Sequence, residues 1–328
     1  VETGTRTRFG QIAAGLGVRP SSTAFQVGLA RFSRLLFGVA GVLTAFIFIA
    51  NVALSRPIID ALLFSLAIAI GIAPEMMPAI VTVSLAVLAA LREKIPTLQN
   101  PAFAAGHSLG EYSALVAAGA LSLADAVRLV RARGRAMQEA VPAGTGAMAA
   151  VMGLEPDPLR EICKEASIDG EVVAPANFNA PGQIVIAGHK GAVSRASELV
   201  SSRKGKAIPL NVSAPFHCAL MAPAARVVAD KLSSVGVSAL AFPIVANVDA
   251  RPNQDASQVK DRLVRQVDGA VRCEESVRFM FEHGVTQALE IGPGKVLAGL
   301  SKRVAKELKV LSVGDPASID QVAAFLGA

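Results

Sequence analysis

A short apolar run, a Gly-x-Ser-x-Gly pentapeptide and a helix-forming run follow one another between residues 101 and 120. The pentapeptide is GHSLG, with Ser108 at its centre and Leu109 after it. In this order the motif makes a sharp strand-to-helix turn that exposes the seryl oxygen, and the helix directs N–H groups and its positive end at the same place. We therefore predict an α/β fold in which Ser108 is an acyl-transferring nucleophile and Leu109 N–H an oxyanion donor. A plain turn with a capping serine is the structural alternative.

A serine nucleophile needs a base, and the chain has only four histidines. His217 follows a strand-like run and a proline in a loop, where bases are commonly presented. His107 adjoins the nucleophile on the turn, so we expect it to shape the pocket. His189 lies in a polar turn, and His283 at a predicted helix end where a cationic side chain suits the dipole. His217 is the predicted general base, with a structural histidine as the alternative.

Arg133 lies on a predicted helix that follows the serine motif, in the run RARGR. Surface arginines are usually solvated, and the residues alone favour that interpretation. A fixed guanidinium would nevertheless suit a carboxylate, because it can donate two parallel hydrogen bonds.

The segment 146–212 alternates strand-like and helix-like runs in the order βαββαβ. This order is typical of the ferredoxin-like split unit. The unit would be an inserted subdomain between Ser108 and His217, so the two residues would face each other across a cleft between two lobes.

Residues 35–54 carry no charge, and a second apolar run, 58–91, is interrupted at 74–78. Twenty apolar residues are enough to span the bilayer core of about 30 Å. After a polar, basic segment, 1–34, we predict an apolar, transmembrane-like helical hairpin over 35–91, with buried core helices as the alternative. Basic residues flank its outer ends, which places both ends in the cytoplasm.

Composition excludes several classes of function. Hydrophobic residues make up 52% of the 328-residue chain and charged residues only 18%. The net charge of +6 is scattered, so nothing indicates a nucleic-acid surface. The three cysteines are far apart and odd in number, which argues against a disulfide framework or a zinc site and fits a reducing compartment.

Several long motifs together resemble the malonyl-CoA:acyl carrier protein transacylases over about residues 79–328. They are GHSLGEYSALVAAG, RARGRAMQEAVPAGTGAMAAVMGL, NFNAPGQIVIAGHK, VSAPFHCALM, LVRQVDGAVRCEESV and EIGPGKVLAGL. The resemblance implies a parallel-sheet, α/β-hydrolase-like core with the inserted ferredoxin-like subdomain. It also implies transfer of a malonyl group from malonyl-CoA to the phosphopantetheine thiol of acyl carrier protein in fatty acid synthesis. The family's chemistry needs no metal and no redox cofactor.

The resemblance assigns roles residue by residue. Ser108 resembles the nucleophile that carries the malonyl ester, and His217 resembles its base. Arg133 resembles the clamp on the malonyl carboxylate. Gln266 resembles the residue whose main-chain carbonyl orients the histidine, and Leu109 N–H resembles one half of the oxyanion hole.

Phe216, before the histidine, resembles a malonyl-selective pattern in related polyketide acyltransferases, and with His107 we place it in the pocket. One departure concerns the family's first strand and Gly-Gln-Gly-Ser loop, which supplies the second oxyanion donor and has no counterpart in this sequence. Losing one such donor typically lowers the rate roughly 10²–10³-fold. We therefore predict a transacylase domain over 92–328 that lacks its N-terminal part. A non-catalytic remnant and a serine esterase or thioesterase are the alternatives.

The stretch 4–78 resembles part of a magnesium-transporting P-type ATPase, through TGTRTRFGQIA, the two apolar runs and AIGIAPEMMP. The family's Asp-Lys-Thr-Gly-Thr phosphorylation motif is absent from the sequence, so a pump is excluded. The expected organisation is an inert transporter fragment fused to a cytoplasmic catalytic domain, with possible membrane association through 35–91.

Overall fold

The computed structural model describes residues 73–212 and 214–327, together with positions 42, 46, 49 and 54. The chain divides into two compact units, 1–72 and 73–328. The predictions for the basic segment 1–34 and for the first apolar run fall outside the continuous described ranges.

Helices and strands alternate along the described part of the second unit. The helices are α1 (Ala73–Lys94), α2 (Gly110–Ala117), α3 (Leu123–Glu139), α4 (Pro156–Ala166), α5 (Lys190–Ser202), α6 (Ala222–Ser233), α7 (Val259–Asp268), α8 (Cys273–Glu282), α9 (Val296–Val304) and α10 (Pro316–Leu326). The strands are β1 (Ala104–Ala105), β2 (Gly146–Met152), β3 (Val173–Ala180), β4 (Gln183–His189), β5 (Lys206–Pro209), β6 (Ile244–Val245), β7 (Pro252–Asn253), β8 (Gln287–Ile291) and β9 (Lys309–Val313). Short 3₁₀ turns precede α6 and α7.

The helix α1 corrects the predicted hairpin. It packs against α2 and α3, and its Val81 and Leu91 are fully buried in hydrophobic cores of this unit. Residues 79–91, predicted as part of a transmembrane-like hairpin, thus pack into the second unit, which begins at 73. The helix misled the sequence analysis because its outward side is also apolar; Ile80, for example, is exposed. Among the helices of the described ranges, none combines the length and hydropathy needed to cross a membrane.

The α/β core contains two short parallel pairings. β1 pairs with β6 in the register Ala104 to Ile244, and β7 joins β6 antiparallel. β8 pairs in parallel with β9. Within the described residues these form two separate sheets, and their parallel pairings agree with the parallel-sheet core that the resemblance implies. β1 is short because the turn that carries Ser108 begins directly after it.

The segment 146–209 forms the predicted ferredoxin-like subdomain. Its antiparallel sheet has the order β3-β4-β2-β5, in which the first and third strands of the unit lie at the centre, as the split βαβ arrangement requires. Side chains alternate between the two faces: Ala149 and Val151 pack under α4 and α5, whereas Met148 packs on the opposite face with Cys218 and Phe216. That second face therefore adjoins the loop that carries His217.

Main-chain hydrogen bonds fix this subdomain to the α/β core. Val271 N donates to Ala176 O, and Phe178 N donates to Val271 O, both at 2.9 Å. The two bonds make a parallel bridge between β3 and the chain that follows α7, so the lobes are joined close to Gln266.

Candidate active site

The predicted sharp turn is present between β1 and α2. Ser108 has φ +51°, a left-handed conformation that costs a non-glycine residue about 1–3 kcal/mol and is concentrated at functional sites. At Gly106 an added Cβ would lie 2.5 Å from Glu111 N and closer still to the carbonyl group of Gly110. Only glycine lets the chain turn back this tightly, so the motif dictates the position of the half-buried serine at the tip of the turn.

Ser108 and His217 form a hydrogen-bonded pair, with Oγ 2.7 Å from Nε2. His217 Nδ1 lies 2.9 Å from the main-chain oxygen of Gln266. A carbonyl oxygen can only accept, so Nδ1 carries the proton and Nε2 is left free to accept the seryl proton. Burial, together with the charge of Arg133, lowers the pKa of His217 to about 3. The imidazole is therefore neutral at physiological pH, as a general base must be.

The loop that presents His217 is held from both sides. An added Cβ at Gly146 would lie 2.9 Å from Pro215 Cβ and closer still to the other ring carbons of Pro215. The start of β2 and the loop are therefore in tight contact. Cys218 Sγ donates to Pro215 O at 3.1 Å, and His217 itself has φ +59°. His217 thus lies in a loop after a strand and a proline, as the sequence predicted, and its left-handed backbone conformation had no signal in the sequence.

Arg133 lies beside the nucleophile rather than on the surface. It is 2% exposed, and its Nη2 donates to Ser108 Oγ at 2.8 Å and to Gln266 Oε1 at 3.0 Å. The Tyr112 ring lies 5.8 Å from the guanidinium carbon, within cation–π range. Arg133 Nε is buried without a hydrogen-bond partner in the described part of the chain. A buried donor left unpaired is costly, and a carboxylate bound next to Ser108 would satisfy it.

Gln266 contacts every member of this group and is fully buried. Its main-chain oxygen faces His217 and its Oε1 faces Arg133. Its Nε2 donates to Ser108 O at 3.0 Å and to Glu111 Oε2 at 2.7 Å. The orienting carbonyl was expected from the resemblance, whereas the side-chain contacts were not.

Two residues of the site, Glu111 and Asn247, escaped the sequence analysis. Asn247 Oδ1 accepts from Ser108 N and its Nδ2 donates to Gly106 O, each at 2.6 Å. It is the second residue after β6, which runs parallel to β1, so it lies at the same sheet edge as the turn. A polar residue shortly after a buried strand was the available signal. Glu111 is 2% exposed, and burial raises its pKa to about 7.

The remaining predicted residues surround the pair. His107 Nε2 lies 2.9 Å from Asn179 Oδ1 on β3, so it links the turn to the subdomain, and burial lowers its pKa. Phe216 packs against the cores of both lobes. Within the described ranges, no main-chain carbonyl accepts from Leu109 N–H, which leaves it available to an oxyanion.

The other two histidines are engaged elsewhere. His189 Nδ1 accepts from Val172 N at 2.9 Å, and His283 follows α8 and stacks on Phe279 with centroids 3.9 Å apart. Their predicted structural roles at a turn and a helix end agree with these positions.

A serine on a strained turn, a neutral histidine and a buried arginine on an α/β core define a serine acyltransferase. Residues 73–321 match the family described as "Acyl transferase domain", and the chain belongs to this family. It is 48% identical over 246 residues to the malonyl CoA-acyl carrier protein transacylase of Salmonella typhimurium, covering 75% of this chain and 79% of that protein. The Bacillus subtilis protein of the same name is 48% identical over 244 residues, 74% of this chain and 76% of that one.

Solved structures give the same result. An acyl carrier protein S-malonyltransferase from Vibrio cholerae superposes with a TM-score of 0.74 at 47% identity, covering 76% of this chain and 81% of that chain. A malonyl-transacylase in complex with a type II polyketide acyl-carrier protein superposes with a TM-score of 0.73 at 45% identity, covering 78% and 81%.

Proposed function

We propose that this domain transfers a malonyl group from malonyl-CoA to the phosphopantetheine thiol of an acyl carrier protein, through a malonyl ester on Ser108. The observation that carries the proposal is the buried Arg133, whose guanidinium contacts the nucleophile and whose Nε–H has no hydrogen-bond partner among the described residues. A malonyl group ends in a carboxylate a few bonds from its reacting carbonyl, so one arginine beside Ser108 can hold it during the reaction.

In the first half-reaction, His217 Nε2 accepts the Ser108 proton while Oγ attacks the thioester carbonyl carbon. Leu109 N–H donates to the oxygen as it becomes negative. When the tetrahedral intermediate collapses, the carbon–sulfur bond breaks and His217 returns the proton to the departing thiolate. The products are coenzyme A and the malonyl ester of Ser108.

In the second half-reaction, the phosphopantetheine thiol gives its proton to His217 and attacks the ester carbonyl. The carbon–oxygen bond breaks, and His217 returns the proton to Ser108 Oγ. Gln266 O keeps the imidazole in the tautomer required by both half-reactions. Acyl carrier protein and a coenzyme A thioester are accordingly the proposed partners, and the residues named supply all the proton transfers.

Arg133→Ala tests the role of the guanidinium. Losing a buried, charge-assisted pair of hydrogen bonds costs about 3 kcal/mol, so we expect kcat/KM for malonyl-CoA to fall roughly 100-fold. Acetyl-CoA, which lacks the carboxylate, should show a much smaller loss. Arg128→Ala is the matched control, because Arg128 lies on the same helix but is exposed and pairs with Asp125.

Incubation of the full chain with labelled malonyl-CoA separates this proposal from its alternatives. Label on Ser108 that is passed to an acyl carrier protein supports the transferase. Label that is lost to water at the same rate with or without acyl carrier protein indicates an esterase or thioesterase. A folded protein in which Ser108 takes up no label indicates a non-catalytic remnant and refutes the proposal.

For residues 1–72 the proposal rests on the sequence alone. The stretch 4–78 resembles a P-type ATPase, and its residues 73–78 lie in α1 of the acyl transferase domain. The remaining resemblance supports a transporter-derived segment that associates the catalytic domain with a membrane. The full chain should then stay in the membrane pellet after carbonate extraction. Complete release by carbonate would refute the proposed association.

A further inference from the structure

We propose that Glu111 is a positioning residue for malonyl transfer, whose buried carboxylate fixes the Gln266 side chain and thereby aligns both the base and the guanidinium with Ser108. This inference rests on the proposed function. It assigns a role to a carboxylate that the mechanism above does not use.

One carboxylate oxygen of Glu111 accepts two hydrogen bonds. Gln266 Nε2 donates to Oε2 at 2.7 Å, and Asn247 N donates to the same atom at 3.1 Å. Glu111 lies in the first turn of α2, where an acidic residue ordinarily faces solvent and interacts with the helix dipole. Here the carboxylate points inward and is 2% exposed, so its hydrogen bonds, rather than the helix end, account for its position.

This contact, the shorter of the two that Gln266 Nε2 makes, favours one orientation of the Gln266 amide, and the bond to Ser108 O favours the same one. An amide has one accepting and one donating end of nearly equal size, and its orientation follows from its partners. With a carboxylate oxygen on one side, Nε2 must face Glu111 and Oε1 must face Arg133, as observed. The reverse orientation would set a carbonyl against the carboxylate and N–H groups against the guanidinium. Glu111 thus holds Gln266 Oε1, the one acceptor of the amide, in position to accept from Arg133.

The consequence reaches all three reacting groups. Arg133 Nη2 bridges Gln266 Oε1 and Ser108 Oγ, so the position of the guanidinium depends on the amide. The main-chain oxygen of the same residue orients His217, and Nε2 also contacts Ser108 O. If the Gln266 side chain could rotate, the position of the Arg133 guanidinium would be less well defined, because the side chain contacts it directly. The effect on His217 would be smaller, because His217 contacts only the main-chain oxygen of Gln266.

Glutamine at position 111 should preserve this arrangement. Its Oε1 can occupy the place of Glu111 Oε2 and accept from both donors, because both hydrogen bonds converge on that one atom. Alanine removes the acceptor, so Asn247 N loses its partner and Gln266 Nε2 keeps only its hydrogen bond to Ser108 O. The comparison of Glu111→Gln with Glu111→Ala therefore isolates the accepting oxygen.

Glu290 provides the matched control. It is a part-buried glutamate on β8 that accepts from Leu297 N at 2.9 Å and from Ser312 Oγ at 2.7 Å, and none of its partners belongs to the active site. Glu290→Ala should alter stability without altering selectivity.

The test measures the ratio of kcat/KM for malonyl-CoA to that for acetyl-CoA, and the rate at which a fluorophosphonate modifies Ser108. We expect Glu111→Ala to lower the ratio roughly 10-fold and to slow Ser108 modification, since a displacement of about 1 Å can cost 10²-fold in rate. Glu111→Gln should restore both within about threefold, and Glu290→Ala should leave the ratio unchanged.

Two results would overturn the proposal: a Glu111→Ala protein that keeps the wild-type ratio, or a Glu111→Gln protein as impaired as Glu111→Ala. If Glu111→Ala does not fold, Gln266→Met, which retains the main-chain carbonyl, should lower the same ratio, and an unchanged ratio refutes the inference. Failure of the proposed function has a different signature, because the wild-type protein would then form no malonyl ester. The Ser108 modification rates would still show whether Glu111 positions the base.

Discussion

Replacing Gly106 by alanine should disable the nucleophile through backbone displacement alone. The new Cβ would lie 2.5 Å from Glu111 N, where ordinary van der Waals contact begins at 3.4 Å, and closer still to the carbonyl group of Gly110. These atoms belong to the turn and to the first turn of α2, so they cannot move aside as a flexible side chain could. The turn must therefore open by about 1 Å. We expect this to lower the free energy of unfolding by about 3 kcal/mol, the upper end of the range typical of overpacking.

The same displacement moves Ser108 Oγ away from His217 Nε2, now 2.7 Å distant. A misplacement of about 1 Å costs on the order of 10²-fold in rate. Urea unfolding would measure the stability change, and fluorophosphonate modification of Ser108 would measure the reactivity. Gly110→Ala is the control, since a Cβ there meets nothing within 4 Å. A Gly106→Ala protein with wild-type reactivity and urea midpoint would show that the steric reasoning is wrong.

Three further predictions concern titration. The folded-state pKa of Glu111 is raised from 4.5 to about 7, so its contribution to stability is fully present below pH 4.5 and is lost as pH rises through 7. One pKa unit corresponds to about 1.4 kcal/mol. In urea titrations, the free energy of unfolding of the wild type should therefore fall by about 3 kcal/mol relative to that of Glu111→Gln between pH 4.5 and 8. Unfolding free energies of the two proteins that change in parallel with pH would contradict this. Because the pKa of His217 is about 3, fluorophosphonate modification of Ser108 should not slow as pH falls through 6.5; a midpoint there would indicate an imidazole with an ordinary pKa. All three cysteines have thiol pKa values raised by burial to between about 11 and about 12, so an aromatic disulfide reagent at pH 8 should modify them only in urea, and rapid modification of the native protein would argue against that burial.

The catalytic pair could be predicted from the sequence because its signals are local. A strand, the Gly-x-Ser-x-Gly turn and a helix define the position of Ser108, and elimination among four histidines leaves His217. Arg133 is different, since its role depends on burial by elements distant in sequence, and only the family resemblance indicated it. Glu111 and Asn247 meet across more than 130 residues of chain. The position of Asn247 after a buried strand was a local signal for the site, but neither local sequence indicated the contact between the two.

The fold was predictable to a similar extent. The ferredoxin-like subdomain follows from alternating strands and amphipathic helices whose buried faces are evident in the sequence. The helix α1 was misassigned because apolar residues occupy its outer side as well as its inner side, so hydropathy could not distinguish a domain helix from a membrane helix.

The main-chain bridge between Val271 and β3 has a consequence for how this site can diversify. Backbone hydrogen bonds do not depend on side-chain identity, so this connection between the lobes tolerates substitution on both sides. Side chains of the subdomain that face the pocket can therefore change without detaching the subdomain from the α/β core, which carries both Ser108 and His217. The Ser108–His217 distance is in this way protected from the sequence changes that would alter which acyl group is accepted.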